Sequence, residues 1–124
     1  MNKRMIIFDA NEQSLQSRSC PLRIAGGTVN YVLAKFVLGA NWQNFDEVIS
    51  AWDNGFKKSY AQLDSACCCV VPADILEDRA VIKVNLVGIG MDSREVLTTY
   101  PVEALIVDAC VPVDGEPYIT ESDI

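Results

Sequence analysis

Short apolar runs separated by turn residues extend along the whole chain, and this spacing constrains the fold more than any other feature. The clearest run, residues 80–90, places Ile82, Val84 and Leu86 on one face and Lys83 on the other. Alternation with a period of two residues is typical of a β-strand. No segment keeps a helical periodicity for more than a turn or two. The sequence therefore predicts an all-β protein.

The boundaries of the apolar runs predict about seven or eight short antiparallel strands. The predicted strands cover residues 4–8, a short stretch within 20–27, 28–38, 48–52, 56–63, 67–71, 80–90 and 95–111. The last of these is interrupted at Pro101, because proline cannot donate to a central ladder. One short helical turn is predicted near residues 72–77, where Pro72 stands at a position that does not need its N–H. Short strands at regular spacing favour an Ig-like or jelly-roll-like β-sandwich.

Two segments carry further local information. Asp53-Asn54-Gly55 lies between Trp52 and Phe56 and supplies residues that tolerate positive φ, which predicts a hairpin joining strands 48–52 and 56–63. Strand 28–38 is mostly apolar at both its odd and its even positions. Such a pattern predicts a strand that is covered on both faces.

The length of 124 residues fits one domain, predicted over 1–111, followed by an extended acidic tail over 112–124. The net charge of −7 repels phosphate, so nucleic acid is not an expected partner. No apolar run approaches the roughly 20 residues that a membrane helix needs. The apolar stretch near the start of the sequence, Met5 to Phe8, is also shorter than the apolar region of a signal peptide. We therefore expect a protein made and assembled in the cytoplasm, with no membrane partner.

The chain contains no histidine, which removes the commonest general base and the commonest metal ligand. Gly26-Gly27 and Gly88-Ile89-Gly90 are too short to cradle a phosphate and are interpreted as turn glycines. The acidic residues that could act as paired carboxylates lie among ordinary polar residues, and none is marked as desolvated. These are Asp46, Glu47, Asp74, Glu77, Asp78 and Glu103. No catalytic residue, cofactor or metal ligand is predicted, and the chain is not expected to be an enzyme.

Three cysteines stand in a row at Cys67, Cys68 and Cys69. In a strand the first and third would face one way and the second the other, so the three cannot grip one ion. Free cysteine packs as a small apolar residue, and filling of the core or of an interface is the favoured interpretation. A disulfide involving Cys20 or Cys110 is an alternative.

Aromatic residues cluster around the predicted hairpin: Trp42, Phe45, Trp52, Phe56 and Tyr60. They could form a sugar-stacking platform, although aromatic residues in small β-domains are more often core. Trp52, at a strand end beside the turn, is expected to be partly exposed.

Three stretches in order carry a resemblance to a known family. They are "AKFVLGANWQNFDEVISAW", "YAQLDSACCCVVPADIL" and "VIKVNLVGIGMDSREVLTTYPVEALIV". Besides strands, the first stretch contains an aromatic-acidic loop, the second a Val-Pro step and the third a Thr-rich segment. This order of features is similar to that of a family of N-terminal β-sandwich domains. These domains belong to tail, baseplate and fibre structural proteins of bacteriophages. The chain resembles this family from about residue 29 to residue 107.

The resemblance implies a non-catalytic virion building block that attaches or adapts other proteins of the particle and assembles in the cytoplasm of the bacterial host. It also implies a homo-oligomer, with a trimer favoured, and other virion proteins as partners. Relatives commonly continue into a coiled coil or shaft, whereas this sequence ends in a short acidic tail. A capsid decoration protein or head-fibre base is one alternative, and a small carbohydrate-binding module is an alternative of another class. Contacts to neighbouring subunits are expected from residues 4–8 and from the tail beginning at Pro112.

Overall fold

The computed structural model describes residues 3–19, 21–92 and 94–109, which form ten strands. The strands are β1 Arg4–Asn11, β2 Ser14–Ser17, β3 Leu22–Ala25, β4 Val32–Leu38, β5 Glu47–Asp53, β6 Lys58–Gln62, β7 Cys68–Val70, β8 Ala80–Ile89, β9 Val96–Thr98 and β10 Val102–Asp108. Two single 3-10 turns cover Ala40–Trp42 and Ala73–Ile75. The all-β prediction is confirmed, and so is the helical turn after Pro72. The predicted tail, 112–124, lies outside the described residues.

Two sheets pack face to face as a sandwich. The four-stranded sheet has the order β2-β1-β4-β7, and the six-stranded sheet has the order β3-β10-β8-β5-β6 with β9 also paired to β8. The inward side chains of both sheets form one core. At its centre the rings of Phe8 and Phe36 stack with centroids 4.9 Å apart, and Trp52 meets Phe8 edge-on at 6.4 Å. Such aromatic pairs add to the stability gained from burial.

Strand β8 organises the six-stranded sheet. Its first half pairs with β10 and its second half with β9 along the same edge, while β5 occupies the other edge. The chain therefore breaks between β9 and β10 at Pro101, as predicted. The hydroxyl of buried Thr99 accepts a hydrogen bond from the Leu86 N–H at 2.9 Å, which satisfies the backbone of β8 near the break.

Two ladders are parallel, where the sequence predicted antiparallel strands. β1 pairs with β4 from Arg4–Val32 to Ala10–Leu38, and β10 pairs with β3. The reason is the path of the chain: after β2 it crosses to the other sheet as β3 and returns as β4 beside β1. A parallel pair needs such a crossover, which no local turn signal reveals.

Strand β2 was not predicted, since its residues lie between the predicted strands 4–8 and 20–27. In the structure β1 continues to Asn11 and turns back at Glu12, whose φ of 53° is positive. Tertiary contacts hold this turn: the Trp42 indole N–H donates to the Glu12 carbonyl at 2.9 Å, and the Glu12 N–H donates to Asn41. With β2 counted and residues 95–111 split into two strands, the total rises from the expected seven or eight to ten.

The hairpin at Asp53-Asn54-Gly55 is confirmed, with a loop of residues 54–57 between β5 and β6. The Asp53 carboxylate accepts from the Gly55 N–H, and the Asn54 side-chain oxygen accepts from the N–H groups of Phe56 and Lys57. Gly55 has a φ of 92°, a conformation that glycine adopts without strain.

Candidate functional site

The aromatic residues that the sequence groups around the hairpin lie in two different environments, the core and the surface. Trp42 and Trp52 are buried, so the expectation that Trp52 is partly exposed is wrong. The Trp52 indole N–H donates to the buried Ser50 hydroxyl at 2.8 Å, which makes burial of its polar atom possible. Phe56, by contrast, is 89% exposed at the hairpin tip, and Tyr60 is exposed on β6. The two tryptophans therefore form no platform for a ligand.

The three consecutive cysteines occupy different environments, and all are free thiols. Cys69 points into the core 3.4 Å from the Ser50 hydroxyl, and burial raises the pKa of its thiol. Cys68 lies on the outer side of β7. Cys67 precedes the strand with a φ of 62°, so strict alternation does not extend to it. Cys20 and Cys110 lie outside the described residues, as does any disulfide they form.

The candidate carboxylates do not converge on one place. Asp46 accepts a hydrogen bond from the Met91 N–H at 2.7 Å, and Glu47 begins β5. Glu103 is exposed on β10, on the other half of the sheet. Asp74, Glu77 and Asp78 line a shallow depression beside the hairpin tip. Within the described residues no group of three His, Cys, Asp or Glu side chains could hold a metal ion.

The glycines act in packing as well as in turns. Gly26 and Gly27 form a turn after β3, as predicted. Gly88, however, lies inside β8, where the rings of Phe45 and Trp42 pack against its backbone. A Cβ atom there would lie 2.9 Å from atoms of both rings. Gly88 is therefore a close-packing position and not a turn residue.

The feature that core packing leaves unexplained is the outer surface of the four-stranded sheet. We call it the β1–β4–β7 face, and its members are Met5, Ile7, Leu33, Lys35, Val37, Cys68 and Val70. The strand register arranges these side chains in rows across the three strands. Met5, Leu33 and Val70 form one row, and Ile7, Lys35 and Cys68 form the next.

The β1–β4–β7 face is accessible to a partner. Met5 is 49% exposed, Val37 39% and Val70 36%, while Ile7 and Leu33 are half-buried by their neighbours. Along each strand of a packed sheet, the residues that face solvent are normally polar. A contiguous apolar surface therefore often marks an interaction site. The double-sided apolar pattern of 28–38 was the sequence signal for this face. The prediction that this strand is covered on both faces is wrong for the described residues, because Val37 on its outer side is 39% exposed.

The charges on this side of the molecule are unequal. Asp9, the only carboxylate that β1, β2, β4 and β7 carry on their outer side, is paired with Arg18 at 2.8 Å. The hydrogen bond from Arg18 lowers the pKa of the Asp9 carboxyl below its usual value. Lys35 in the middle of the face and Arg4 at its end form no ion pair with any described residue. Asp64, in the loop before β7, accepts a hydrogen bond from the N–H of Cys68, the register partner of Lys35, so a carboxylate also borders this apolar face.

The fold and this surface define a class: an all-β domain of two packed sheets that presents an apolar sheet face and no convergent catalytic group among its described residues. No protein-family model and no curated protein matches the sequence. Among solved structures the chain is similar to the N-terminal domain of phage TP901-1 ORF48, with a TM-score of 0.50 at 10% identity. The match covers 88% of this chain and 98% of that domain. At this identity the likeness is one of fold, and it extends over nearly the whole of a phage protein domain.

No helix among the described residues is long and apolar enough to cross a membrane.

Proposed function

We propose that the chain is a non-catalytic structural protein of a bacteriophage virion. In this role it is an attachment or adaptor domain of the tail, baseplate or fibre, and it assembles with itself and with other virion proteins. The observation that carries the proposal is the apolar β1–β4–β7 face, together with a fold shared with a phage protein domain. Both sequence and structure support contacts from β1, since Met5 and Ile7 of the predicted segment 4–8 point outward while Ile6 and Phe8 fill the core.

The size of the face indicates how it contributes. Three strands about 4.8 Å apart, contacted over about five residues of about 3.3 Å each, give a patch roughly 15 Å by 17 Å. A standard protein interface buries about 800 Å² on each partner. The face is therefore the apolar centre of such an interface, and polar surface around it supplies the rim. Because the backbone of the face is already ordered in the sheet, binding costs only the ordering of its exposed side chains.

The test uses a phage that carries this chain. A Met5→Glu/Val70→Glu variant places two carboxylates on the β1–β4–β7 face. The matched control is Val81→Glu, an exposed valine on the outer side of β8 in the other sheet. We expect wild type and control to be incorporated into purified particles and the double variant to be reduced at least about tenfold, measured by quantitative mass spectrometry. Circular dichroism of the isolated chains checks that all three fold.

Labelling of the incorporated protein by antibody and cryo-microscopy then decides its place. A tail, baseplate or fibre position supports the proposal, and a position on the capsid exterior supports a decoration protein or head-fibre base. Absence of the wild-type chain from particles, or equal incorporation of both variants, would contradict assembly through this face.

A carbohydrate-binding module is a second candidate, favoured by a different observation. On the outer side of the six-stranded sheet, Tyr60 is 64% exposed in a shallow depression also lined by Asn85, Lys58 and Lys83. An exposed aromatic ring beside an amide and charged groups offers a sugar both a stacking surface and hydrogen-bonding partners. A glycan array tests it: binding that is lost in Tyr60→Ala and kept in Phe56→Ala supports this function, and no binding by wild type argues against it.

A further inference from the structure

We propose that β6, the outermost strand of the six-stranded sheet, pairs antiparallel with β6 of a second copy of this chain, so that the two six-stranded sheets join into one. The contact is separate from the β1–β4–β7 face, which lies on the other sheet. The inference therefore goes beyond the proposed function, because it names a second surface and the strand that occupies it.

The backbone of β6 is hydrogen-bonded along one edge only. β5 pairs with it over its whole length, and the Leu63 N–H extends this ladder by donating to the Val48 carbonyl at 2.9 Å. Because bonded and non-bonded residues alternate along an antiparallel ladder, the odd-numbered residues of β6 bond to β5 and the even-numbered ones turn their N–H and C=O groups away from it. No described residue bonds to these outward groups, which belong to Lys58, Tyr60 and Gln62.

The other edge strands of the described sheets offer fewer free backbone groups. β2, β3, β7 and β9 are three or four residues long, so at most two residues of each turn outward. At β7 a turn closes the edge: the Asp64 carboxylate accepts from the Cys68 N–H at 3.0 Å, and the Cys68 carbonyl accepts from the Asp64 N–H at 2.9 Å. Beside β2, the Gln13 carbonyl accepts from the Tyr100 N–H at 2.9 Å. Since proteins normally protect their sheet edges, the long open edge of β6 requires an explanation.

A second copy of β6 is the strand that fits this edge. About a twofold axis through Tyr60, the two tyrosines lie opposite each other and Lys58 lies opposite Gln62 of the other copy, so every outward N–H and C=O group of both strands is bonded. This register places no like charges opposite one another, because the lysine meets an amide. Pairing of β6 with any other described edge would leave at least one of its three outward residues unbonded. The geometry therefore favours a closed pair of copies over an open chain of them.

The side chains of the β5–β6 hairpin support the same contact. Tyr60 is 64% exposed on the outer side of β6, and Phe56 is 89% exposed at the tip. In the pair the Cα atoms of the two tyrosines are about 5.5 Å apart, so their side chains contact each other across the axis. The same register places the hairpin tip beside the residues that follow β6 in the other copy. Pairing therefore removes apolar surface of both rings from water, and the inward side chains, Ser59 and Ala61, are small enough to accept a neighbouring strand.

The experiment is amide hydrogen exchange of the intact chain, followed by NMR at micromolar and at millimolar concentration. We expect the Tyr60 N–H to exchange at least about tenfold more slowly at the higher concentration, because the pair protects it. The matched control is Val70 on β7: the Val71 N–H donates to the Val32 carbonyl, so the Val70 N–H points outward from an edge strand of the other sheet and should not slow. Sedimentation equilibrium over the same range should show the mass rising from 13.6 kDa towards twice that value.

An isotope mixture and two variants test the register. In a mixture of labelled and unlabelled chains, an isotope-filtered NOE spectrum should show a contact between the Hα atoms of Ser59 and Ala61 of different copies, because these residues form a non-hydrogen-bonded pair with Cα atoms about 4.5 Å apart. Tyr60→Pro removes the central N–H and should abolish pairing, while proline is tolerated on an edge strand where the N–H faces solvent. The matched control, Tyr60→Thr, keeps the N–H and a residue that favours strands, so its dissociation constant should stay within about tenfold of the wild-type value. Circular dichroism checks that both variants fold.

Each other outcome overturns the proposal. A mass that stays at that of one chain would show that the edge does not pair, and equal slowing at Val70 and Tyr60 would show no preference for β6. Absence of the Ser59–Ala61 contact, or a folded Tyr60→Pro variant that pairs as wild type does, would exclude this register. If Tyr60→Pro does not fold, the exchange and NOE measurements on wild type still decide. None of these measurements involves phage particles or the β1–β4–β7 face, so failure here is distinguishable from failure of the proposed function.

Discussion

The buried hydrogen-bond group around Ser50 allows a quantitative prediction. Ser50 is fully buried between the sheets, accepts from the Trp52 indole N–H at 2.8 Å and donates to the Ala61 carbonyl at 2.7 Å. In Ser50→Ala the indole N–H loses its acceptor at a site with no access to water. An unsatisfied buried donor costs about 1–3 kcal/mol, and the second lost bond adds about 0.5–1.5 kcal/mol. We expect the free energy of unfolding to fall by about 2–4 kcal/mol.

The assay is urea unfolding followed by circular dichroism. With a slope of about 1.5–2 kcal/mol per molar urea, the midpoint should move down by about 1–2.7 M. The control is Ser59→Ala on the neighbouring strand β6, which is half-buried and makes no side-chain hydrogen bond to a described residue. That variant should stay within about 0.5 kcal/mol of wild type.

A double-mutant cycle separates the orphaned donor from lost packing. Trp52→Phe removes the indole N–H, so Ser50→Ala in that background should cost at least about 1 kcal/mol less than in the wild type. If Ser50→Ala costs under about 0.5 kcal/mol, or if its cost is the same in both backgrounds, then the Ser50 hydroxyl does not satisfy Trp52 and the reasoning fails.

Two further predictions concern packing and charge. Gly88→Ala should lower the free energy of unfolding by about 1–3 kcal/mol, because the new methyl group meets the rings of Phe45 and Trp42. In urea titrations, the stability lost in the Gly88→Ala/Phe45→Ala double variant should be smaller than the sum of the two single losses by at least about 0.5 kcal/mol. Full additivity would contradict the contact. The pKa of Asp9 is lowered by Arg18, so this pair stabilises the fold above the ordinary carboxyl pKa of about 3.9 and the contribution is lost as the pH falls through the lower folded value. An NMR titration should find the Asp9 pKa raised in Arg18→Gln and unchanged in Arg23→Gln, the equivalent change in the other ion pair; equal values in all three chains would refute the assignment.

Local patterns were enough for the features that local chemistry controls. The alternation of residues 80–90 predicted β8 with Ile82, Val84 and Leu86 inside, because successive side chains of a strand must point to opposite faces. Pro101 predicted the break between β9 and β10, since it has no N–H to donate. Asp53-Asn54-Gly55 predicted the hairpin, because Gly55 adopts the positive φ of the loop and the side chains of Asp53 and Asn54 accept hydrogen bonds from its N–H groups.

The same patterns failed where a distant residue decides the outcome. The turn at Glu12 contains no glycine and depends on Trp42, 30 residues away in sequence. Trp52 stands beside a turn and was expected at the surface, yet its neighbour Ser50 supplies the acceptor that makes full burial possible. Gly88 was predicted to be a turn glycine, but it lies inside β8, where the rings of Phe45 and Trp42 leave too little room for a Cβ atom.

The candidate site shows the same division. The sequence by itself determined that β1 and β4 carry apolar residues on both sides, and that residues 110–124 hold four of the 17 acidic residues and no basic residue. Only the tertiary structure decided that the outward residues of β1, β4 and β7 meet on one face around Lys35. Parallel pairing of β1 with β4 brings Ile7 opposite Lys35 across 28 positions of sequence, and the antiparallel pairing with β7 adds Cys68. Composition and alternation are properties of neighbouring residues, whereas which strands become neighbours depends on burying both sheets against one another, and that free energy is gained only when the whole chain has folded.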